Sequence, residues 1–397
     1  MKQRGKYLAR KPKKNRARRI LGGIVTLLAA VVCLGATLPV LGGMILHVGT
    51  PLKQDLSKSP DARIRADLEE MLTTGIGTML GSIEIEPGRE EETVEPVKKV
   101  FWLKDEDLVA PEPDPENYGE TDDPMELEPV IRLAEKLLDG QSTVFDPKGN
   151  ILKDSMVTYY LDETILCITW QHRAKDAVYT CSEVKIAHPS QFRRFLSGGT
   201  FGSGKLHKAT EMAADVNAVT ASNGDYYAYR GYGNLVYNGE VKMAGNTYLD
   251  TCYVDAKGDL ILKDYGPLYR KADVEAFVEE NDIRFSLAFG PILVENGRVV
   301  VKDEYGLGEA EECYSRAALC QIGPLHYMLV TANRRGQYLP QFASHLKEMG
   351  VDKAYALDGG QTATIVTGDK LMNPVDYGGE RETSDIIYFA TAVPEVD

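Results

Sequence analysis

The sequence predicts an α+β fold, in which a mixed, twisted β-sheet domain with a few flanking helices is preceded by one transmembrane helix and an acidic linker. Three observations support this prediction. A basic leader precedes a long apolar run, an acidic and proline-rich stretch follows, and strand-like runs bounded by Gly, Asn or Asp dominate the remainder. Helical patterns are few in that last part, which favours an α+β class over a regular alternation of strands and helices.

The N-terminal part predicts a membrane anchor. Residues 1–19 contain ten Lys or Arg and no acid, whereas residues 20–48 contain no Asp, Glu, Lys or Arg. A helix needs about 20 apolar residues to cross a bilayer, and the apolar part of a signal peptide has only about 7–15. We therefore expect a basic cytoplasmic leader at 1–19, a single-pass transmembrane helix at 20–48 and an extracytoplasmic C-terminal domain. Beside a membrane, the basic leader does not indicate nucleic-acid binding.

Residues 49–127 are expected to hold a juxtamembrane helix and an acidic linker. Apolar residues recur at helical spacing over 61–80, whereas 82–128 is rich in Glu, Asp and Pro and cannot bury enough apolar area to offset chain entropy. The folded domain is predicted at 128–397, where a helix at 128–140 precedes ten strand-like runs. Further helices are predicted at 209–216, 271–280 and 339–349.

Two interpretations of the five cysteines after the predicted span stay open. Cys167 and Cys181 lie in strand-like runs that could pair as a hairpin, so a cross-strand disulfide is one interpretation in an oxidising compartment, with Cys313 and Cys320 as a second pair. The other is that these thiols, with that of Cys252, are buried and free. No Cys/His cluster has zinc spacing, so no cofactor or metal ligand is predicted. Carboxylates could hold a divalent cation, which stays unassigned.

The segment VNAVTASNGDYYAYRG contains the first candidate site. A strand-like run leads into Asn223, Gly224 and Asp225, and Tyr226 and Arg230 follow. A lone Asn-Gly-Asp is a turn signal, but aromatic faces and a cation are the groups that hold a sugar ring and an anionic ester. By contrast, GGTFGSGKL is not a phosphate-binding loop, because a leucine replaces the magnesium-binding Ser or Thr and the loop follows FRRFLS rather than a buried strand.

Two further segments place charged groups among apolar or glycine residues. Arg316 lies in the apolar run CYSRAALCQIG, where an arginine must pair with an acid, face solvent or meet an anionic ligand. Asp358, Gly359 and Gly360 come directly after a strand-like run in AYALDGGQTATIV. This could be a hairpin turn, or an acid at a strand end with room for a ligand beside bare backbone.

Taken together, these segments resemble the phosphodiester glycosidase family, as a bacterial, membrane-anchored member. The family includes a lysosomal enzyme that removes N-acetylglucosamine from a sugar phosphodiester, and many bacterial envelope proteins. The resemblance covers about 159–393 and rests on motifs that stand in the family's order. These motifs are AVTASNGDYY, FGPILVENG, SRAALCQIG, AYALDGGQTATIV and GGERETSDIIYF. The family often has a third glycine and then serines after its aspartate, whereas Gln361 and Thr362 stand here.

The resemblance implies hydrolysis of a sugar-1-phosphodiester, in which water replaces a phosphate ester at an anomeric carbon. Glycosidases generally use two carboxylates, so Asp225 and Asp358 are predicted to be the acid, base or nucleophile pair, with Glu380 as the alternative partner. Arginine binds phosphate in a bidentate manner that lysine cannot match. The predicted substrate-binding residues are Asn223, Gly224, Tyr226, Arg230, Arg316, Gly359, Gly360 and Arg381.

The sequence therefore predicts a membrane-tethered extracytoplasmic hydrolase that cleaves sugar-1-phosphodiester bonds in envelope or extracellular glycans. Its expected partners are a glycan or sugar-phosphate substrate and, through its single N-terminal helix, the membrane. Two alternatives stay open. One is a non-catalytic saccharide-binding or exopolysaccharide assembly factor that uses the same cleft, and the other is a structural envelope module whose glycine junctions are turns.

Overall fold

The computed structural model describes residues 108–121, 123, 157–245, 248–266, 268, 270–302, 305 and 310–392. The predicted leader, the predicted transmembrane helix and the helices expected at 61–80 and 128–140 lie outside these residues. Within the described ranges, no helix has the length and apolar character that a membrane span requires.

The described residues form nineteen strands and three α-helices. The strands are β1 (Tyr118–Thr121), β2 (Val157–Leu161), β3 (Ile165–Ala174), β4 (Ala177–Ile186), β5 (Phe192–Leu196), β6 (Thr220–Asn223), β7 (Leu235–Tyr237), β8 (Glu240–Met243), β9 (Thr251–Asp255), β10 (Leu260–Lys263), β11 (Ile283–Leu287), β12 (Ile292–Glu295), β13 (Arg298–Val299), β14 (Tyr314–Gly323), β15 (His326–Gln337), β16 (Lys353–Leu357), β17 (Ile365–Thr367), β18 (Lys370–Leu371) and β19 (Asp385–Phe389). The helices are α1 (Ala209–Asp215), α2 (Lys271–Glu280) and α3 (Leu339–Glu348). The predicted α+β class is confirmed.

The strands build four sheets. The largest has nine strands in the order β1-β2-β3-β4-β15-β14-β16-β12-β13, and the next has five in the order β18-β17-β6-β19-β5. Smaller sheets have the orders β10-β9-β11 and β7-β8. Every strand pair between described residues is antiparallel, whereas the sequence analysis expected a mixed sheet. Helix α3 connects β15 and β16, but β14 lies between those strands, so this crossover creates no parallel pair.

Both faces of the nine-stranded sheet are covered, and the core therefore has two main layers. On one face, Trp170 and Tyr179 of the sheet pack with Phe342 and Leu346 of α3. On the other face, a second cluster joins the sheet to β5, β17 and β19 of the five-stranded sheet and to β9–β11. Strand β4 is buried at every residue for this reason, as is usual for a strand covered on both faces.

Part of the stretch predicted as an acidic linker is folded against the domain. Strand β1 pairs with β2, with Tyr118 opposite Tyr160 and their ring centroids 4.6 Å apart. Further upstream, the Ala110 amide donates to the carbonyl oxygen of Val216 at 3.2 Å. A short edge strand is held by backbone hydrogen bonds and one or two apolar side chains. The average composition of the whole acidic segment does not reveal such a strand. The rest of that stretch lies outside the described residues.

Of the two interpretations of the cysteines, the structure supports free thiols, because all five cysteines in the described residues are free. Strands β3 and β4 do form the predicted hairpin, but Cys181 lies opposite Trp170, three residues along from Cys167. The two thiols belong to separate core clusters on the two faces of the sheet. Cys313 and Cys320 are separated by about 23 Å of extended chain, far beyond the reach of a disulfide.

Candidate active site

The candidate site forms where the ends of strands from two sheets meet. Strand β14 is antiparallel to β16, with Ala317 opposite Leu357, so the first residues of β14 lie beside the loop that follows β16. In the five-stranded sheet, Asn223 at the end of β6 lies opposite Ile386 at the start of β19. Antiparallel pairing thus brings four segments that are far apart in the sequence to two neighbouring strand ends.

The last residue of β6, Asn223, and the next residue, Gly224, connect these strand ends. Asn223 Nδ2 donates to the carbonyl oxygen of Asp358 at 2.6 Å, and its Oδ1 accepts from the Thr364 amide at 3.1 Å. The Asp358 amide in turn donates to the Gly224 carbonyl at 3.1 Å. Asn223 is fully buried, so it ties the β6 end to the Asp358 loop. Gly224 is required by close packing, since a Cβ there would lie 2.6 Å from Asp385 Oδ2.

The two glycines after Asp358 have different functions. A Cβ on Gly359 would lie 2.7 Å from the Ser315 carbonyl oxygen, so this glycine allows β14 to approach closely. Gly360 has a φ of +63° and no atom within 4 Å of its Cβ position, so it adjoins open space. Strands β16 and β17 belong to different sheets, so the motif is not a hairpin turn. Gly360 leaves the open space that the ligand-clearance interpretation expects, whereas Gly359 serves the packing of β14.

A pocket of about 270 Å³ opens beside these loops. It contains five of the residues predicted from the sequence and also aromatic and apolar residues that were not predicted. Its lining residues are Tyr226, Phe289, Gly290, Tyr314, Arg316, Ala317, Leu339, Ala356, Leu357, Asp358, Gly359 and Gly360. Asp358 is the only carboxyl side chain in this lining.

Asp358 directly follows β16, and its carboxyl group is half-buried in the wall of the pocket. Burial raises the pKa of Asp358 to about 7, and the negative charge of Asp225 adds to this. A hydrogen bond with Thr362 and the positive charge of Arg381 act in the opposite direction. Because a carboxyl group that titrates near neutrality can both give and take a proton at working pH, Asp358 is suited to acid or base catalysis.

Asp225 is also close to a strand end, but its carboxylate is sealed from solvent. Arg230 Nη2 donates to its two oxygens at 2.5 and 2.7 Å, and the amides of Tyr226 and Ala288 donate at 2.5 and 2.9 Å. Arg194 Nη2 lies 3.6 Å from Oδ2. Burial alone would raise the pKa of Asp225, but the two arginines outweigh it and hold the pKa below its ordinary value. Asp225 is thus an ionised anchor outside the pocket lining.

Arg194 and Asp385 complete this buried charge cluster and were absent from the predicted site. Arg194 Nε on β5 donates to Asp385 Oδ2 at 2.6 Å, and its Nη1 donates to the Ser286 carbonyl. The amide of Asp225 donates to Asp385 Oδ1 at 2.8 Å. Burial raises the pKa of Asp385 to about 6, against the effect of Arg194. We call Arg194, Asp225, Arg230 and Asp385 the buried charge cluster.

The predicted arginines differ in what they contact. Arg230 belongs to the buried charge cluster, and its side chain is only 2% exposed. Arg316 lines the pocket, and its Nε and Nη2 donate to the carbonyl oxygens of Gln337 and Glu312 at 2.9 and 2.6 Å. Its guanidinium carbon lies 5.8 Å from the centre of the Tyr314 ring. Of Arg230 and Arg316, it is therefore Arg316 that can contact a ligand in the pocket.

Glu380 and Arg381 are neighbours in sequence but face different surroundings. Glu380 accepts hydrogen bonds from the Thr210 amide at 3.0 Å and from the Thr210 hydroxyl at 2.7 Å, in the first turn of α1. It therefore serves that helix end and is not part of the pocket lining. Arg381 is exposed, its guanidinium carbon lies 5.6 Å from the Tyr229 ring centre, and its charge acts on Asp358. Tyr229 stacks on Tyr226 at 4.6 Å.

No cluster of three or more His, Cys, Asp or Glu side chains with the geometry of a metal site occurs in the described part of the chain. The carboxylates that could have formed one are separated, since Asp225 binds two arginines and Glu380 binds α1. The pocket lining itself provides one carboxyl group, one guanidinium group and aromatic rings.

Comparison with known proteins identifies the domain that contains this pocket. Residues 216–390 match the sequence model of the family described as phosphodiester glycosidase. This region is a phosphodiester glycosidase domain. It is a hydrolase domain of the glycosidase class, and the matched range contains every predicted site residue but begins after Arg194. No curated protein matches the chain.

Two solved structures are similar to the chain that carries this phosphodiester glycosidase domain. One is the catalytic domain of zebrafish N-acetylglucosamine-1-phosphodiester alpha-N-acetylglucosaminidase, with 17% identity and a TM-score of 0.46 over 57% of this chain and 82% of that one. The other is a hypothetical protein from Synechocystis, with 16% identity and a TM-score of 0.43 over 58% of this chain and 63% of that one.

Proposed function

We propose that this protein hydrolyses sugar-1-phosphodiesters and that Asp358 is its catalytic carboxyl group. The observation that carries the proposal is the position of Asp358 in the pocket wall, next to Arg316 and within the electrostatic influence of Arg381. A carboxyl group with a pKa near 7 and guanidinium groups that can contact phosphate oxygens are the two elements that this reaction requires. The aromatic ring of Tyr226 in the same lining offers a surface for a sugar ring.

In the proposed reaction, Asp358 is the general base. It takes a proton from a water molecule as the water oxygen bonds to the anomeric carbon. The bond between that carbon and the phosphate oxygen breaks, and its electron pair leaves with the phosphate. The products are the free sugar and a phosphate monoester. Because a phosphate ester is already a good leaving group, a second carboxyl group is not needed as an acid, and arginines stabilise the departing charge.

The buried charge cluster has a supporting role in this proposal. Asp225 fixes the amide of Tyr226, so the cluster holds the loop that brings the Tyr226 ring to the pocket. Asp225 was predicted to be one of the two reacting carboxylates. Its ion pairs with Arg230 and Arg194 support a positioning role instead, since a carboxylate with every oxygen bound has no place for a substrate proton.

The proposed location is outside the cytoplasm, with the domain tethered to the membrane by the apolar run at 20–48. The ten basic residues before that run and the absence of acids among them support this orientation. A tethered enzyme of this kind would act on envelope or extracellular glycans that contain phosphodiester links. Labelling of single engineered cysteines with a membrane-impermeant reagent tests the location, and labelling of the leader but not the domain in intact cells would contradict it.

The proposed activity is tested on the purified full-length chain with a glycosyl methyl phosphodiester and with the matching methyl glycoside. We expect release of reducing sugar and methyl phosphate from the first substrate only. Arg316→Ala should lower kcat/KM about a hundredfold, whereas Arg298→Ala at an exposed strand position should change it little. Saccharide binding without any release of sugar would instead identify a binding or assembly factor.

A further inference from the structure

The loop at 376–381, which carries Arg381, is held on three sides. Asp376 Oδ2 accepts a hydrogen bond from the Ser315 hydroxyl on β14. Glu380 is bound by the Thr210 amide and hydroxyl of α1. The third contact comes from the loop of Asp358 itself, where Gln361 Nε2 donates to the carbonyl oxygen of Gly379 at 2.9 Å.

The contact made by Gln361 differs from the other two in what it connects. Gln361 lies three residues after Asp358, in the turn Gly360–Thr362. Gly379 lies two residues before Arg381, so this single hydrogen bond joins the loop of the pocket carboxyl group to the loop of an exposed guanidinium. The contacts from β14 and α1 hold the 376–381 loop to the frame of the domain and do not involve the Asp358 loop.

The position of Arg381 depends on the loop that carries it. No hydrogen bond or ion pair joins its guanidinium to another described residue, and its guanidinium carbon lies 5.6 Å from the centre of the Tyr229 ring. The charged groups that act on Asp358 are Arg381 and Asp225, and Arg316 shares its pocket. The position of Arg381 therefore affects both the proton affinity of Asp358 and the positive charge at the pocket.

We propose that Gln361 is a positioning residue, which holds Arg381 beside the pocket for the anionic group of the substrate. This inference rests on the proposed sugar-phosphodiesterase function. It gives a reason for glutamine at position 361, where the family that the sequence resembles often has glycine. A glycine at that position would provide no donor for the Gly379 carbonyl. The hydrogen bond lies at the surface, so its loss leaves the core intact.

The decisive test is a double-mutant cycle with Gln361→Ala and Arg381→Ala in the full-length chain. We expect Gln361→Ala to raise KM for a glycosyl methyl phosphodiester about fivefold, as loss of one hydrogen bond would. If Gln361 acts through Arg381, the double variant is no worse than Arg381→Ala alone. A purely structural role predicts that the two effects add, and additivity would overturn the proposal.

The pH dependence of kcat/KM provides a second readout. Release of Arg381 removes a positive charge from the surroundings of Asp358, so the rise of kcat/KM with pH should move to higher pH in Gln361→Ala. Gln361→Met, which keeps the length of the side chain but has no donor, should behave in the same way. Gln341→Ala, at an exposed glutamine on α3, is the control and should leave KM and the pH profile unchanged. An unshifted profile in both Gln361 variants would contradict the proposal.

Failure of the proposed function is distinguishable from failure of this inference. If the wild-type chain releases no sugar, the same cycle is measured by calorimetry on the binding of glucose 1-phosphate. Weaker binding in Gln361→Ala that is absent in the Arg381→Ala background supports the positioning role without turnover. If the wild-type chain is active but Gln361→Ala has an unchanged KM and an unchanged affinity for glucose 1-phosphate, the function stands and the role of Gln361 is wrong.

Discussion

Asp225 and Asp358 are the same residue type in similar places, one two residues after β6 and the other directly after β16, yet their environments are opposite. Asp225 is sealed and bound by two arginines, and its pKa is lowered. Asp358 adjoins the pocket, and its pKa is raised to about 7. Burial raises the pKa of both carboxyl groups, so the close arginines at Asp225 account for the difference.

The sequence motifs predicted the same catalytic role for both aspartates, whereas their surroundings in the structure suit them to different roles. The buried charge cluster holds strand ends and loops together, and the pocket provides a titratable group where a ligand can reach it. A carboxylate locked between guanidinium groups stabilises structure only while both partners remain. A carboxyl group with a near-neutral pKa costs stability when it ionises but is suited to moving protons. Substitutions in the two regions should therefore have opposite consequences.

The largest effect is expected from Asp225→Asn. It leaves Arg230 buried without its anionic partner and Arg194 with Asp385 alone. Loss of one member of a buried ion pair costs about 3–5 kcal/mol. Urea unfolding of the full-length chain at pH 7, followed by near-ultraviolet circular dichroism, should show this loss in the free energy of unfolding. Asp215→Asn, an exposed aspartate at the end of α1, is the control and should remain within about 0.5 kcal/mol of wild type. A loss at Asp225 as small as that of the control would remove the distinction between the two aspartates.

Asp358→Asn should have the reverse pattern. Without its base, kcat falls about a hundredfold or more, whereas stability at pH 8 rises. The sign follows from the raised pKa, because the unfolded chain releases this proton near pH 4 and the folded chain only near pH 7, so stability declines over that range. Melting temperatures of wild type and Asp358→Asn should therefore coincide below about pH 4, diverge between pH 4 and pH 7, and differ by a constant amount above about pH 7. Full turnover in Asp358→Asn with an intact fold would exclude this residue as the base.

The pH profile of the wild-type chain should reflect Asp358 rather than Asp225. The ionised base is the active form, so kcat/KM should rise with pH through about 7 and be about tenfold below its plateau at pH 6. Initial rates over pH 5–9 at constant ionic strength measure this profile. A profile that falls through pH 7 would mean that Asp358 works as an acid.

The helices and most strands could be predicted from the sequence because their apolar patterns are local. The runs predicted at 209–216, 271–280 and 339–349 correspond to α1, α2 and α3 within one residue at each end. The relative directions of paired strands could not be predicted in this way, since they depend on the order of the strands in the sheet. For example, β14 lies between β15 and β16, so both of these pair with β14 in the antiparallel direction. Edge strand β1 was missed for the related reason that its stability comes from a partner about 40 residues away in the sequence.

The pocket lining contains some of the predicted residues, and the others lie outside it for a common physical reason. Asp358 and Arg316 were both predicted and both line the pocket. Glu380 and Arg230 were also predicted, but each is occupied by a partner, Thr210 or Asp225, that spacing along the chain does not reveal. Arg194 was not predicted, although the sequence contained a signal for it. The segment FRRFL places charges in an apolar run, as CYSRAALCQIG does. That segment was interpreted as lying outside a buried strand, whereas β5 is buried at every residue.

The smallest expected effect is the difference in stability loss between alanine variants of Gly224, beside the buried charge cluster, and Gly360, beside the pocket. Gly224→Ala would place a Cβ 2.6 Å from Asp385 Oδ2, which Arg194 and the Asp225 amide hold in place, so we expect a loss of about 2–3 kcal/mol in the free energy of unfolding. Gly360→Ala meets no atom within 4 Å and costs only the left-handed backbone conformation, about 1 kcal/mol. Parallel urea unfolding of the two variants measures this difference. Equal losses would mean that the buried charge cluster accommodates an added methyl group without strain. That outcome would contradict the fixed position of its ion pairs.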